Sequence, residues 1–342
     1  DNFDADPELS LTASISWELD LWGNLRWARD HSTAGFLASV ENCRAVKMGL
    51  VAQVAQSYFE LMALDNELAI VRRTLEARRE GVRLAEIRFK GGLTSEIVFQ
   101  QAKVELAKTA TMVPDLERRI SLKESEIALL TGDFPYAVNR NVLPEEIQLP
   151  DALPLGLPST LLERRPDIRK AERELMAAHA EVGLAYTNMF PRLALTATLG
   201  AESETLRDLL KSPYSYLAGN LLSPLFAMGK NRAALKAKRA AYEGAVAEYE
   251  KTVLTAFKET HNAIINFNKI KDIYESRRQL AEASRTAVEL AQLQYINGVI
   301  GYLDLLDAQR NYFDAQVSLS NAVCDKQLMI INLYKALGGG WK

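Results

Sequence analysis

The chain repeats itself. Gly23 and Gly229 lie 206 residues apart, as do Gly92 and Gly298, and Gly132 and Gly338. The same offset pairs Arg26 with Arg232, Val40 with Val246, Arg72 with Arg278, Arg79 with Arg285, Val82 with Val288 and Leu84 with Leu290. It also pairs Phe89 with Tyr295 and Ala102 with Ala308. An ungapped register over that distance implies two structurally equivalent halves. Residues 1–132 form the first repeat and residues 160–342 the second. Between them, residues 133–159 carry Pro135, Pro144, Pro150, Pro154 and Pro158, a density that no helix tolerates, so this stretch reads as an extended linker. The second half has a helical stretch (about Thr160 to Met189) and a strand ahead of Gly229. Their counterparts fall before residue 1, so the expectation is an N-terminally truncated or processed form.

From Leu9 to Leu21 the alternation is strict. Leu9, Leu11, Ala13, Ile15, Trp17, Leu19 and Leu21 share one face, while Ser10, Thr12, Ser14, Ser16, Glu18 and Asp20 share the other. Period-2 alternation of this length predicts a strand wetted on one side, slightly longer than the ~9–11 residues of a tilted membrane strand. Trp17 and Trp22 sit near one end, where an aromatic girdle would lie. A weaker strand is expected around Arg192–Leu199 and a third from Tyr214 to Phe226. By alternation alone a half-buried soluble sheet edge fits as well. If the strands do enter lipid, three or four of them cannot close a barrel, and open edges are forbidden there, so several chains must share one barrel.

After Gly23 no strong helix breaker appears until Gly91-Gly92, nor between Gly229 and Gly298 apart from Gly244. Each stretch predicts a helix of roughly 100 Å at ~1.5 Å per residue. Leu61, Leu64, Leu68, Val71, Leu75 and Val82 follow heptad spacing, and Arg72, Arg73, Glu76, Arg78, Arg79 and Glu80 are expected on the remaining faces. Each helix meets a glycine turn and a second helix returns, over about Ser95–Leu130 and Tyr302–Leu337, with Pro114 expected to kink the first. Cys43 and Cys324 lie inside helical patterns and read as two small buried hydrophobes, with a disulfide left open.

Composition bounds the function. A net charge of −3 leaves no basic footprint for nucleic acid, and 48% apolar content fits a folded chain. No apolar run approaches the ~20 residues of a membrane-spanning helix. His31, His179 and His261 are scattered, no Cys/His cluster has metal-ligand spacing, and no phosphate loop or nucleophile elbow appears. The reading is a protein without catalytic chemistry, metal or cofactor.

Four segments carry a family resemblance. Ser16-Trp17-Glu18-Leu19-Asp20-Leu21-Trp22-Gly23 resembles the strand-to-helix entry of the TolC-like outer membrane factors of tripartite efflux pumps. Gly156-Leu157-Pro158-Ser159-Thr160-Leu161-Leu162-Glu163-Arg164-Arg165-Pro166-Asp167-Ile168-Arg169, Tyr302 to Arg310, and Leu333 to Trp341 are similar to later segments of the same family. The resemblance covers essentially the whole chain. It is closest to the branch that partners resistance-nodulation-division transporters. It implies a mainly α protein with a small β part. In the implied homotrimer, four strands per subunit build a twelve-stranded antiparallel barrel in the outer membrane, above a helical periplasmic tube. It also implies a periplasmic adaptor and an inner-membrane transporter as partners. Full-length members begin with a signal peptide, commonly a lipidated cysteine, and further helix and strand.

On this reading Leu11, Ile15, Trp17 and Leu19 face lipid. Leu303, Asp307, Arg310 and Asp314 recur at i, i+4, i+7 and i+11 on one helix face beyond the second turn. The family's closed gate uses the matching positions, so Asp307–Arg310 contacts and a Leu303 ring are expected to hold the tip shut. Taken from spacing alone, a solvated stripe with an ion pair worth ~0.2–0.5 kcal/mol is the better account of these residues, and the resemblance reverses that order. Their first-half counterparts, Ile97, Gln101 and Val104, lack the charges. Gly92, Leu93, Thr94 and Ser95, with Gly298 and Val299, are expected to meet the adaptor, though simple turn chemistry also accounts for them. The expected function is passive conduction of drugs or other small toxic solutes. The alternatives are an exit duct for a protein-secretion or metal-cation exporter, or a coiled-coil scaffold.

Overall fold

The computed structural model describes residues 9–140, 163–203, 207, 209–211, 213–223 and 227–339. Most of the proline-rich stretch, Thr160 and the end of the third expected strand (Pro224–Phe226) lie outside the described residues, as do Gly340 and Trp341. The elements are β1 (Leu9–Leu19), α1 (Asn24–Lys90), α2 (Glu96–Thr131), α3 (Pro166–Thr187), β2 (Arg192–Ser203), β3 (Pro213–Leu222), α4 (Met228–Ile296) and α5 (Tyr302–Ala336). By contact the chain divides into two compact units, Asp1–Asn42 with Asp167–Leu254, and Cys43–Pro166 with Thr255–Lys342. Each unit draws on both halves of the sequence, so the repeat and the compact units are different divisions of the chain.

The first unit holds an antiparallel sheet of order β1-β2-β3. Its register puts Ile15 opposite Ala197 and Ala197 opposite Leu217, with Ala13, Leu199, Trp17, Leu195 and Leu221 on that same face. The other face carries Ser14, Thr198 and Tyr216 in one row and Ser16, Thr196 and Ala218 in the next. Period-2 side-chain direction thus turns three sequence patterns into one apolar and one largely polar surface. Leu11, Ile15 and Trp17 are exposed, as are Leu199, Leu217 and Leu221, whereas Leu19 is half-buried.

The strand expected to reach Leu21 ends at Leu19. Asp20 leaves the alternation because it caps α1, its carboxylate accepting from the amides of Leu25 (3.0 Å) and Arg26 (3.1 Å). Trp22 is therefore not a girdle residue on the strand. Its ring stacks on Phe190 at 4.8 Å and its indole N–H donates to the Pro191 carbonyl. Asn24 ties the same joint to α3 through Thr187 Oγ1 (2.9 Å) and Asn188 Oδ1 (3.0 Å). Trp27 lies so close to α3 that a Cβ on Gly183 would meet its ring at 2.4 Å.

The second unit contains two helical hairpins, the C-terminal part of α1 with α2 and that of α4 with α5. Leu61, Leu64, Leu68 and Val71 of α1 pack on Leu116, Ile120 and Ile127 of α2. The heptad seam is thus the hairpin interface, and Leu61 and Val71 are fully buried. Full burial of one such side chain contributes roughly 1.5–3 kcal/mol. The turns repeat bond for bond. Gly92 N–H donates to the Phe89 carbonyl and Leu93 N–H to Arg88; at the offset of the sequence repeat, Gly298 donates to Tyr295 and Val299 to Gln294. Both glycines have positive φ, 68° and 75°, which closes this helix end without Cβ strain. Pro114 lies inside α2, which continues past it to Thr131. Both cysteines are free; Cys43 is exposed rather than buried, and Cys324 is half-buried with its Sγ 3.6 Å from the Phe59 carbonyl.

Candidate functional site

The functional question centres on the start of α5, where the charged positions follow the second turn. Gly301 precedes the helix in extended conformation, and Asp304 Oδ2 accepts from its N–H at 3.0 Å. That bond satisfies a donor exposed by the helix start and fixes the register of the following turns. Tyr302, Leu305 and Leu306 then face inward with Tyr295, Ala85 and Ala102, forming a buried cluster joined by side chains from all four helices. Leu303, Asp307, Arg310 and Asp314 fall on the exposed side, Leu303 being 61% exposed. Asp307 accepts from the Asn311 amide at 3.3 Å.

Arg310 is not paired with Asp307 within the chain. It reaches across to Glu105 on α2 and donates to Oε1. Glu105 is a buried carboxylate serving three cations. Lys108 Nζ lies 3.4 Å from the same oxygen, and Arg78 Nη1 from α1 lies 3.5 Å from Oε2. The side chains of Arg78 and Glu105 are only 7% and 8% exposed, against 47% for Arg310. The Arg310 hydrogen bond holds the Glu105 carboxyl below the usual carboxylate range, against the opposing effect of burial. The same bond raises Arg310, whereas burial pushes the Arg78 guanidinium down. Burial likewise raises the Tyr302 phenol, which lies beside Tyr295 at a ring separation of 5.8 Å. Arg88 covers the Tyr295 ring at 4.7 Å and donates to its carbonyl at 3.2 Å. This hub ties α1, α2, α4 and α5 together just behind the turns.

At the turns themselves Leu93 and Val299 are 73% and 71% exposed. Ser95 caps α2 in extended conformation without a side-chain bond, and Thr94 Oγ1 is buried without a partner.

The sequence pattern puts Arg78 on a face other than the heptad seam. The structure places it in the buried seam, because 71-75-78-82 continues the heptad. Glu105 likewise sits in the buried row Ala102, Glu105, Thr109, Leu116 of α2. A charge inside an apolar stripe was the available signal for both. Tyr302 and Tyr295 carried no signal beyond ordinary apolar periodicity. Among the described residues no group of three His, Cys, Asp or Glu side chains is placed to hold a metal, and no helix is long and apolar enough to cross a membrane.

The comparisons with known proteins agree with this architecture. The sequence profile described as outer membrane efflux protein matches residues 4–133 and 157–339, flanking the proline-rich stretch. Outer membrane protein OprJ of Pseudomonas aeruginosa is 35% identical over 95% of this chain and 68% of its own length. The toluene efflux pump outer membrane protein TtgI of Pseudomonas putida is 33% identical over 98% of this chain and 72% of its own. Among solved structures, the outer-membrane channel OprN superposes with a TM-score of 0.89 at 29% identity, covering 98% of this chain and 81% of that one. The chain belongs to the outer membrane efflux protein family, the TolC-like outer membrane factors, and is a channel-forming protein of the outer membrane.

Proposed function

We propose that this protein is the exit duct of a tripartite efflux pump, conducting drugs or other small toxic solutes passively outward from the periplasmic assembly. The observation that carries the reading is the sheet, apolar on one face, largely polar on the other and, among the described residues, unpaired at both edges. An open edge in hydrocarbon leaves backbone N–H and C=O groups unpaired at several kcal/mol each. Three copies sharing one closed barrel remove those edges, with Leu11, Ile15, Trp17 and Leu19 against lipid. The turn residues Gly92, Leu93, Thr94, Ser95, Gly298 and Val299 are the docking points for a periplasmic adaptor, which links the duct to an inner-membrane transporter. Solute choice lies mainly in the pump.

The gate lies on α5, where three copies of Leu303, Asp307, Arg310 and Asp314 line the tip. The Arg310–Glu105 pair supports a closed resting state, because it latches α5 of one hairpin to α2 of the other. Opening moves α5 away from α2 and breaks the latch. Conductance in planar bilayers tests this. Wild type stays mostly closed, and Asp307→Ala and Arg310→Ala raise the open fraction. Variants as closed as wild type refute the gate.

A further inference from the structure

Glu105 has two competing arginines, and only one of them is satisfied. Its Oε1 holds Arg310 and Lys108, while Oε2 faces Arg78 at 3.5 Å, outside the ~2.7–2.9 Å of a charge-assisted hydrogen bond. Arg78 Nη1 is buried and makes no hydrogen bond at all. A guanidinium 93% withdrawn from water, with an unbonded donor about 0.6–0.8 Å beyond the distance of a charge-assisted hydrogen bond to the carboxylate, is an incomplete pair. The exposed half of Arg310 can exchange its partner for water at little cost. Glu105 cannot do the same, since a buried carboxylate that loses its partner is strongly destabilised.

We propose that Arg78 is the second seat of Glu105: when α5 swings out and Arg310 leaves, the carboxylate closes onto Arg78. Two arrangements of one buried anion then define two states. With Arg310 seated, α5 is tied to α2; with Arg78 seated, the α1–α2 hairpin holds its own charge and α5 is free. Arg78 is thus a positioning residue that sets the closed-to-open balance without reaching the channel. This rests on the gate reading above, with Arg310–Glu105 as the closed-state latch.

The test is bilayer conductance in an Asp307→Ala background, where the gate reading predicts a partly open channel and changes in either direction register. Glu105→Gln removes the latch together with the weaker second seat, and so raises the open fraction on balance, by less than the tenfold or so of one charged hydrogen bond. Arg78→Gln withdraws the second seat alone and lowers the open fraction by a smaller factor. Arg78→Lys keeps the charge and stays near the background. The double variant Arg78→Gln/Glu105→Gln matches Glu105→Gln alone, because Arg78 acts only through Glu105. A merely structural Arg78 moves Arg78→Gln in the same direction as Glu105→Gln, or adds to it in the double variant, and either result overturns the proposal. If Asp307→Ala, Glu105→Gln and Arg310→Ala all leave the channel closed, the gate reading itself fails. If they open it and Arg78→Gln does not close it, only the second seat fails.

Discussion

Ser14 and Ile15 are neighbours on β1 that face opposite ways, and arginine at each position separates a membrane strand from a soluble sheet edge. Eleven residues at ~3.4 Å give β1 a contour of roughly 37 Å, which a tilt near 45° reduces to about 26 Å, close to the ~25 Å apolar band of an outer-membrane barrel. Ile15 sits near the middle of that span, 76% exposed, in an apolar row with Ala197 and Leu217. Arginine on the lipid face at mid-depth costs about 2–4 kcal/mol. At 1.4 kcal/mol per tenfold, this lowers the folded population by roughly 30- to 700-fold per chain, compounded when three chains share the barrel. Ser14, in a row with Thr198 and Tyr216, faces the polar side, where arginine meets water. Refolding into lipid vesicles across a urea series, read as the fraction of assembled oligomer, measures both variants. Ile15→Arg collapses the yield and Ser14→Arg leaves it near wild type. Equal tolerance of the two, or equal loss, refutes the lipid-facing assignment.

Two further outcomes follow from the helical unit. Glu105 titrates below the usual carboxylate range, so its latch is intact above the ordinary glutamate value of about 4.3 and is lost only as pH falls through the depressed value. Its facing groups, Arg78, Lys108, Arg310 and Tyr302, supply no competing carboxylate. Wild-type conductance is therefore flat from pH 7 to 5 and rises in stronger acid, and Glu105→Gln lacks that component; identical profiles contradict the latch. Burial, with Asp325 and Glu60 nearby, pushes the Cys324 thiol up to about 11. A rise of about two units leaves roughly a hundredfold less thiolate at neutral pH, so alkylation followed by mass spectrometry finds Cys324 slow and still accelerating above pH 9. Rapid, pH-independent labelling of Cys324 contradicts the burial.

The backbone plan was largely legible in the sequence because periodicity reports it directly. The 206-residue offset recurs at both ends of the hairpin turn, α1 closing at Lys90 and α4 at Ile296, α2 opening at Glu96 and α5 at Tyr302. The heptad of Leu61 to Val71 named the interface that the structure uses. What periodicity cannot show is a residue that leaves its pattern for a local bond. Asp20 continues the alternation by type but turns to cap α1, which shortens the strand and redirects Trp22 onto Phe190. The hub was illegible for the opposite reason. Arg78 and Glu105 keep the pattern's positions but break its chemistry, and only long-range packing of α1, α2 and α5 shows that Glu105 lies between Arg78 and Arg310. Arg310 was found as a charge on a stripe, yet its partner lies 205 residues away in sequence.

The central claim is that chains close a barrel together, and the number of chains in the detergent-solubilised particle tests it most directly. Light scattering corrected for bound detergent counts them. The account predicts three chains per particle, persisting on dilution. A particle of one chain contradicts it, because the three described strands, apolar on one face, then have no second copy to pair their outer edges.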